Sequence, residues 1–87
     1  MNAEFDFLVT ARGLAGYFAR QEASGGSRWT PGRVAADEWL RLVEGGSPSA
    51  EDLARLDDLM LPGIGDNGSA WQEMRIAYGR WRKSLTG

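Results

Sequence analysis

The chain has 87 residues, 43% hydrophobic and 25% charged, with a formal net charge of −2 and a sequence pI near 5.0. That length supports one domain with a small core burying roughly 60% of the unfolded surface, and the composition is that of a soluble globular protein rather than a disordered one. It contains neither cysteine nor histidine, which excludes disulfides, thiolate nucleophiles, the usual zinc ligand sets and the usual general base near neutral pH.

The first helix is predicted over residues 4–23. Phe7, Leu8, Ala11, Leu14, Ala15 and Phe18 recur on one helical face, the spacing of a core stripe. Ser24-Gly25-Gly26-Ser27 ends it. A second face carries Phe5, Val9, Arg12, Gly13, Gly16 and Arg20. Each glycine inside a helix costs about 1 kcal/mol relative to alanine, so something should offset Gly13 and Gly16. Close approach of another chain would do so, with phenylalanine and arginine as interface anchors. A wide core face, covered by helices of the same domain, would do so too.

The second helix is predicted over 31–44. Thr30 is placed to cap it, Pro31 suits its first turn, and Trp29 is spaced to pack on Val34 as a hydrophobic staple. Ala36, Trp39, Leu40 and Val43 share its inner face, and Gly45-Gly46 stops it. A third helix, 48–61, opens at Ser47-Pro48-Ser49, with Asp52 as capping partner of Ser49 and a stripe of Leu53, Leu56, Leu59 and Met60. A fourth, 70–85, opens with Ser69 and Gln72 as a capping box and carries Trp71, Met74, Tyr78, Trp81 and Leu85 at alternating steps of three and four. No segment alternates with period two. The fold class is therefore all-α: a compact four-helix bundle, with residues 1–87 as a single helical domain.

Between the third and fourth helices the sequence reads LPGIGDNGSAWQEM. Gly63, Gly65 and Gly68 fall at G-x-G-x-x-G, the spacing of a dinucleotide loop, yet the segment ahead of them is helical and no parallel sheet surrounds them. The five residues LPGIG resemble the turn of the helix-hairpin-helix family, which binds DNA phosphate through backbone amides. The resemblance implies a hairpin at Pro62, Gly63, Ile64 and Gly65. The chain departs from the family at position 69, which is Ser where alanine is usual, and at Asp66-Asn67-Gly68, which put a carboxylate where the phosphate would sit. A plain helix-to-helix connection, with Ile64 turned to the core, reads more simply. Asp66, Asn67 and Glu73 fall short of the about six to eight oxygens of a calcium loop.

Residues 31–61 carry three arginines against seven acids, and residues 69–87 carry four bases against Glu73 alone. The basic stripe of Arg75, Arg80, Arg82 and Lys83 is a candidate nucleic-acid contact, although cations near a helix C-terminus also complement its dipole. The N-terminus is acidic where a signal peptide is basic, and no apolar run reaches the roughly 20 residues of a membrane span, so a cytoplasmic location and no membrane association are expected. No acid, base and nucleophile set can be assembled, and no cofactor or metal site is expected. The reading is a small non-enzymatic interaction protein that binds a protein partner, or a second copy of itself, through the second face of the first helix, and adapts, sequesters or inhibits it. Its profile is similar to that of the small acidic proteins with which phages and mobile elements block host machinery. The alternative is a DNA-binding module using the LPGIG turn or the basic C-terminal helix.

Overall fold

A computed structural model describes the backbone of residues 3–61 and 68–86 and the side chains of residues 7–61 and 69–85. Four α-helices form: α1 (Ala3–Gly25), α2 (Thr30–Gly45), α3 (Ala50–Met60) and α4 (Gly68–Thr86), with a 3-10 turn at Ser27–Trp29. No strand occurs among the described residues. α1 and α4 outrun their predicted ends by one or two residues, and α3 is shorter than 48–61.

Glycine sets two of the ends. Gly26 takes φ 91° and Gly46 φ 81°, a region where a Cβ is strained, and their N–H groups close back on the carbonyls of Glu22 and Leu42, each at 3.1 Å. The start of α3 is the capping box read from the sequence. The Ser49 hydroxyl accepts from Asp52 N at 3.0 Å, and the Asp52 carboxylate accepts from Ser49 N at 3.3 Å.

The start of α2 differs from the predicted cap. Trp29 occupies the cap position through the 3-10 turn, without a side-chain cap bond, and Thr30 is already helical. The Thr30 hydroxyl donates instead to Glu22 of α1 at 2.5 Å, beside Arg33 Nε, which donates to the same carboxylate at 2.6 Å. A carboxylate from the preceding helix has outcompeted the local amide, a long-range effect that capping rules do not contain. Trp29 is buried, but its ring partners are Tyr17 and Phe18, with centroids at 6.1 and 5.8 Å. Likewise α4 begins at Gly68, so Ser69 stands inside the first turn and not at the cap expected for it.

Cross-helix contacts give the topology. Glu22 meets Arg33 and Arg12 meets Glu44, so α1 and α2 are antiparallel. Arg55 meets Glu38 and Arg41 meets Asp52, so α2 and α3 are antiparallel as well. Gly32 lies against Trp71 while Trp39 packs on Tyr78 and Trp81, so α4 runs parallel to α2 and antiparallel to α1. The result is an up-down-up-down bundle.

The core holds Ala11, Leu14, Ala15 and Phe18 of α1, Ala35, Ala36, Trp39 and Leu42 of α2, Leu56 and Met60 of α3, and Trp71, Met74, Tyr78 and Trp81 of α4. Leu85, expected to continue that seam, is 42% exposed. At equal rise it stands level with the end of α2, past the turns that receive Tyr78 and Trp81. The indole N–H groups of Trp39 and Trp71 are buried with no acceptor among the described residues, an expense of about 1–3 kcal/mol each that ring burial must outweigh.

At Gly32 the backbone of α2 comes close to side chains of α1 and α4. A Cβ there would lie 2.5 Å from Phe18 Cε1 and 3.1 Å from Trp71 Cζ3, whereas a Cβ at Gly13 would meet nothing within 4 Å. Gly32→Ala is therefore expected to destabilise by about 1–3 kcal/mol through overpacking, and Gly13→Ala to stabilise by about 0.5–1 kcal/mol through helix propensity. Urea denaturation of the two variants checks this opposition of sign.

Candidate interaction surface on α1 and α4

The second face of α1 is open. Val9 is 51% exposed, Arg12, Gly13 and Arg20 are exposed, and Gly16 is half-buried. Beyond the empty space at Gly13, a Cβ at Gly16 would meet only the Arg20 guanidinium, at 3.4 Å. Of the two readings of this face, the one with helices of the same domain packed on both sides of α1 does not fit: along the described residues no neighbouring helix covers it. The backbone of Phe5 belongs to α1, and its side chain lies outside the described residues.

Alongside this face runs a groove of about 500 Å³ between α1 and α4. Its walls are Thr10, Gly13, Leu14, Tyr17 and Arg20 on one side and Ser69, Ala70 and Glu73 on the other. Gly13 and Arg20 therefore belong both to the exposed face and to the groove. Thr10, Tyr17 and the α4 wall were not singled out in the sequence. The signal for the α1 residues was present, because Thr10, Gly13, Tyr17 and Arg20 recur at steps of three and four; the signal for the α4 wall was not, since its position depends on tertiary packing.

The polar groups facing the groove are unused by the fold. Neither the Arg20 guanidinium nor the Glu73 carboxylate has an ion pair or hydrogen bond among the described residues, although they have opposite charge and line the same cleft. Arg12, by contrast, reaches Glu44 at 3.6 Å. Both side chains of that pair are about half exposed or more, so it adds little stability.

The proposed basic stripe on α4 is divided. Arg82 grips Asp57 of α3 with two hydrogen bonds, Nε at 3.1 Å and Nη2 at 2.7 Å, and the Tyr78 hydroxyl donates to the same carboxylate. Arg82 is a tie between helices and not a free contact. Its guanidinium, with help from Tyr78, holds the Asp57 carboxyl below the usual range against the opposing effect of burial. Burial, reinforced by the Asp57 carboxylate, pushes the Tyr78 phenol up. Arg75, Arg80 and Lys83 remain exposed, and Ile76 beside them is 53% exposed.

The acids of α2 and α3 are largely neutralised from within the bundle. Glu38 accepts from Arg41 at 3.0 Å and from Arg55 at 2.7 Å, and these bonds lower its carboxyl to about 2. Asp52 is held below its ordinary value, first by its bonds with Ser49 and then by the same arginines. The Pro62–Gly65 turn and the first two glycines of the G-x-G-x-x-G spacing lie outside the described residues. Gly68 opens α4, and the helix ahead of the loop is α3. No helix among the described residues is long and apolar enough to cross a membrane.

The Asp57 clasp and the Glu38 cluster give the attachment of α3 a definite pH dependence. Their folded pKa values lie below the unfolded ones, so their stabilisation is complete above about pH 5 and is lost as pH falls through 4 toward 2. Asp57→Ala is expected to destabilise at pH 7 by about 1–2 kcal/mol, a figure discounted for the partial exposure of the pair. It should also flatten the acid limb of the stability curve, measured by urea denaturation between pH 6 and about pH 2.

Comparison with protein-family models, with curated proteins and with solved structures gives no match, so the functional reading rests on the groove, the open face of α1 and the charges between them.

Proposed function

We propose that this protein is a non-enzymatic helical binding module that docks a protein partner on the open face of α1 and in the adjoining α1–α4 groove. One observation carries the reading: a continuous surface of Val9, Gly13, Gly16 and Arg20 opens onto the groove, and no neighbouring helix covers it. A helix backbone bare at Gly13 admits close approach, and Val9 and Arg20 supply an exposed apolar side chain and an arginine anchor beside it. Binding there would let the module adapt, sequester or inhibit its partner by occupying the partner's own surface.

The rival reading, a nucleic-acid contact, draws on the exposed Arg75, Arg80 and Lys83, without Arg82, which is bound to Asp57. Three cations on a chain of net charge −2 make a weak electrostatic footprint.

Affinity capture from cell lysate, with quantitative mass spectrometry, should be run on the wild type, Gly13→Trp and an Arg75→Glu/Arg80→Glu pair. Gly13→Trp projects a large ring from an open position, so it should leave the helical spectrum and thermal midpoint nearly unchanged while reducing the specific partner about tenfold or more. The charge-reversed pair should retain the partner. The opposite pattern, together with salt-sensitive retention of the wild type on DNA, would replace this reading with the nucleic-acid one.

A further inference from the structure

We propose that the outer surface of the α3–α4 pair joins two copies of this chain in a weak dimer, with α3 of each copy laid against α4 of the other. This surface is distinct from the open face of α1 and stands independently of it. On α4, Trp71, Met74, Tyr78 and Trp81 face the core and Arg82 faces α3. With 3.6 residues per turn, the side that follows carries Arg75, Ile76, Gly79 and Lys83, all exposed. On α3, Leu56 and Met60 face the core and Asp57 faces α4, so Ala54, Asp58 and Leu61 come outward on the same side of the pair, again all exposed. Leu61 at 65% and Ile76 at 53% are the two most exposed large hydrophobic side chains among the described residues, and this surface holds both. A Cβ at Gly79 would meet nothing within 4 Å, so no contact inside the fold offsets its helix penalty.

Charge selects the occupant. Neither the Asp58 carboxylate nor the Arg75 guanidinium has an ion pair or hydrogen bond among the described residues, and they stand on neighbouring antiparallel helices of one surface. A nucleic acid, or any partner of one charge sign, would meet attraction on one helix and repulsion on the other. A second copy supplies both signs in the complementary order. A two-fold axis parallel to the helices lays α3 on α4 of the other copy, acid to base, twice over; an axis across the helices would set Asp58 near Asp58 and cation near cation. Asp57 receives its bonds from Tyr78 and Arg82, which puts Asp58 level with the stretch from Ile76 to Gly79. In the dimer Asp58 therefore comes over the bare backbone at Gly79, with Arg75 and Lys83 about one turn to either side, and Leu61 comes toward Ile76. The 11 residues of α3 run about 17 Å and the pair is about 20 Å wide, so the contact lies at the lower end of specific interfaces. The dimer is accordingly weak, half formed at about 100 μM.

Sedimentation equilibrium of the full chain between about 10 μM and about 1 mM tests this, with circular dichroism to show each variant folded. Asp58→Arg and Arg75→Asp, each alone, should raise the dissociation constant about tenfold or more, and an equimolar mixture of the two should associate again, since both cross-contacts are then of opposite sign. Arg80→Asp makes the same charge change on the side of α4 turned away from α3, and should leave the constant within about twofold. Gly79→Gln should raise the thermal midpoint of the dilute protein through helix propensity and yet weaken the dimer. A chain that is monomeric at the highest concentration, a dimer indifferent to Asp58 and Arg75, or single variants that stay apart when mixed overturns the proposal. A dimer that Gly13→Trp dissociates and Gly79→Gln leaves intact assigns self-association to the α1 face, and overturns it as well.

Discussion

The contact on which the remaining structure depends is the seat of Gly32 between Phe18 and Trp71. Three helices meet there, and the backbone of α2 approaches two aromatic rings so closely that a single methyl group would have to displace one of them. Trp29, delivered by the 3-10 turn, closes the same junction from the α1–α2 corner with Tyr17 beside it. Because Phe18 belongs to α1 and Trp71 to α4, this junction fixes how those two helices stand against each other. The groove between them follows from it. Rigid packing at one level of two antiparallel helices leaves the neighbouring surface open unless side chains fill it, and along this stretch α1 offers Gly13 while α4 offers Ser69 and Ala70.

Charge is distributed with the same asymmetry. The ties between helices use Glu22 with Thr30 and Arg33, Glu38 and Asp52 with Arg41 and Arg55, and Asp57 with Arg82 and Tyr78. Each joins helices adjacent in the bundle, and on α3 they set Arg41 and Arg82 against Asp52 and Asp57, although residues 31–61 keep their excess of acid because Arg33 is drawn to Glu22. A sum over the sequence therefore overstates the acidity that a partner would meet on α3. Among the groups left unengaged, Arg20 and Glu73 stand in the groove, and Arg75 and Arg80 lie on the exposed side of α4. The polar chemistry available for recognition is thus displaced toward the α1–α4 side, although each surface pair taken singly is worth little.

What the sequence made legible was local. The four helices, apart from their ends, the Ser49–Asp52 box and the glycine stop at Gly46 rest on spacings within a few residues and stand in the structure as read, as do most of the inward stripes of α1 and α2, although Leu8, Leu40 and Val43 are only half-buried and Ala35 and Leu42 lie in the core unread. Thr30 misled because its hydroxyl found Glu22 eight residues away across a helix corner. Leu85 misled because a periodic pattern does not say where the facing helix stops. Arg82 looked like part of a free stripe because Asp57 is 25 residues distant in sequence. In the candidate site, the second face of α1 was legible through its glycines and its period, but not whether it lay open or under other helices. The α4 wall was not, since Ser69, Ala70 and Glu73 reach α1 only through the packing of Trp71 on Phe18.

Gly32 and Gly13 show how one residue type answers to two different demands. At Gly32 the fold itself accounts for the missing side chain, and the helix penalty is offset by core contact with two rings. At Gly13 no such contact exists: the space around the Cβ position is empty, the helix continues on both sides, and alanine would be accommodated without displacing anything. A local rule broken without compensation inside the fold points to a demand from outside it. On the proposed reading that demand comes from the side of the molecule that carries the groove with the exposed Arg20 and Glu73, and the helix stability forgone at Gly13 keeps the surface bare for close approach.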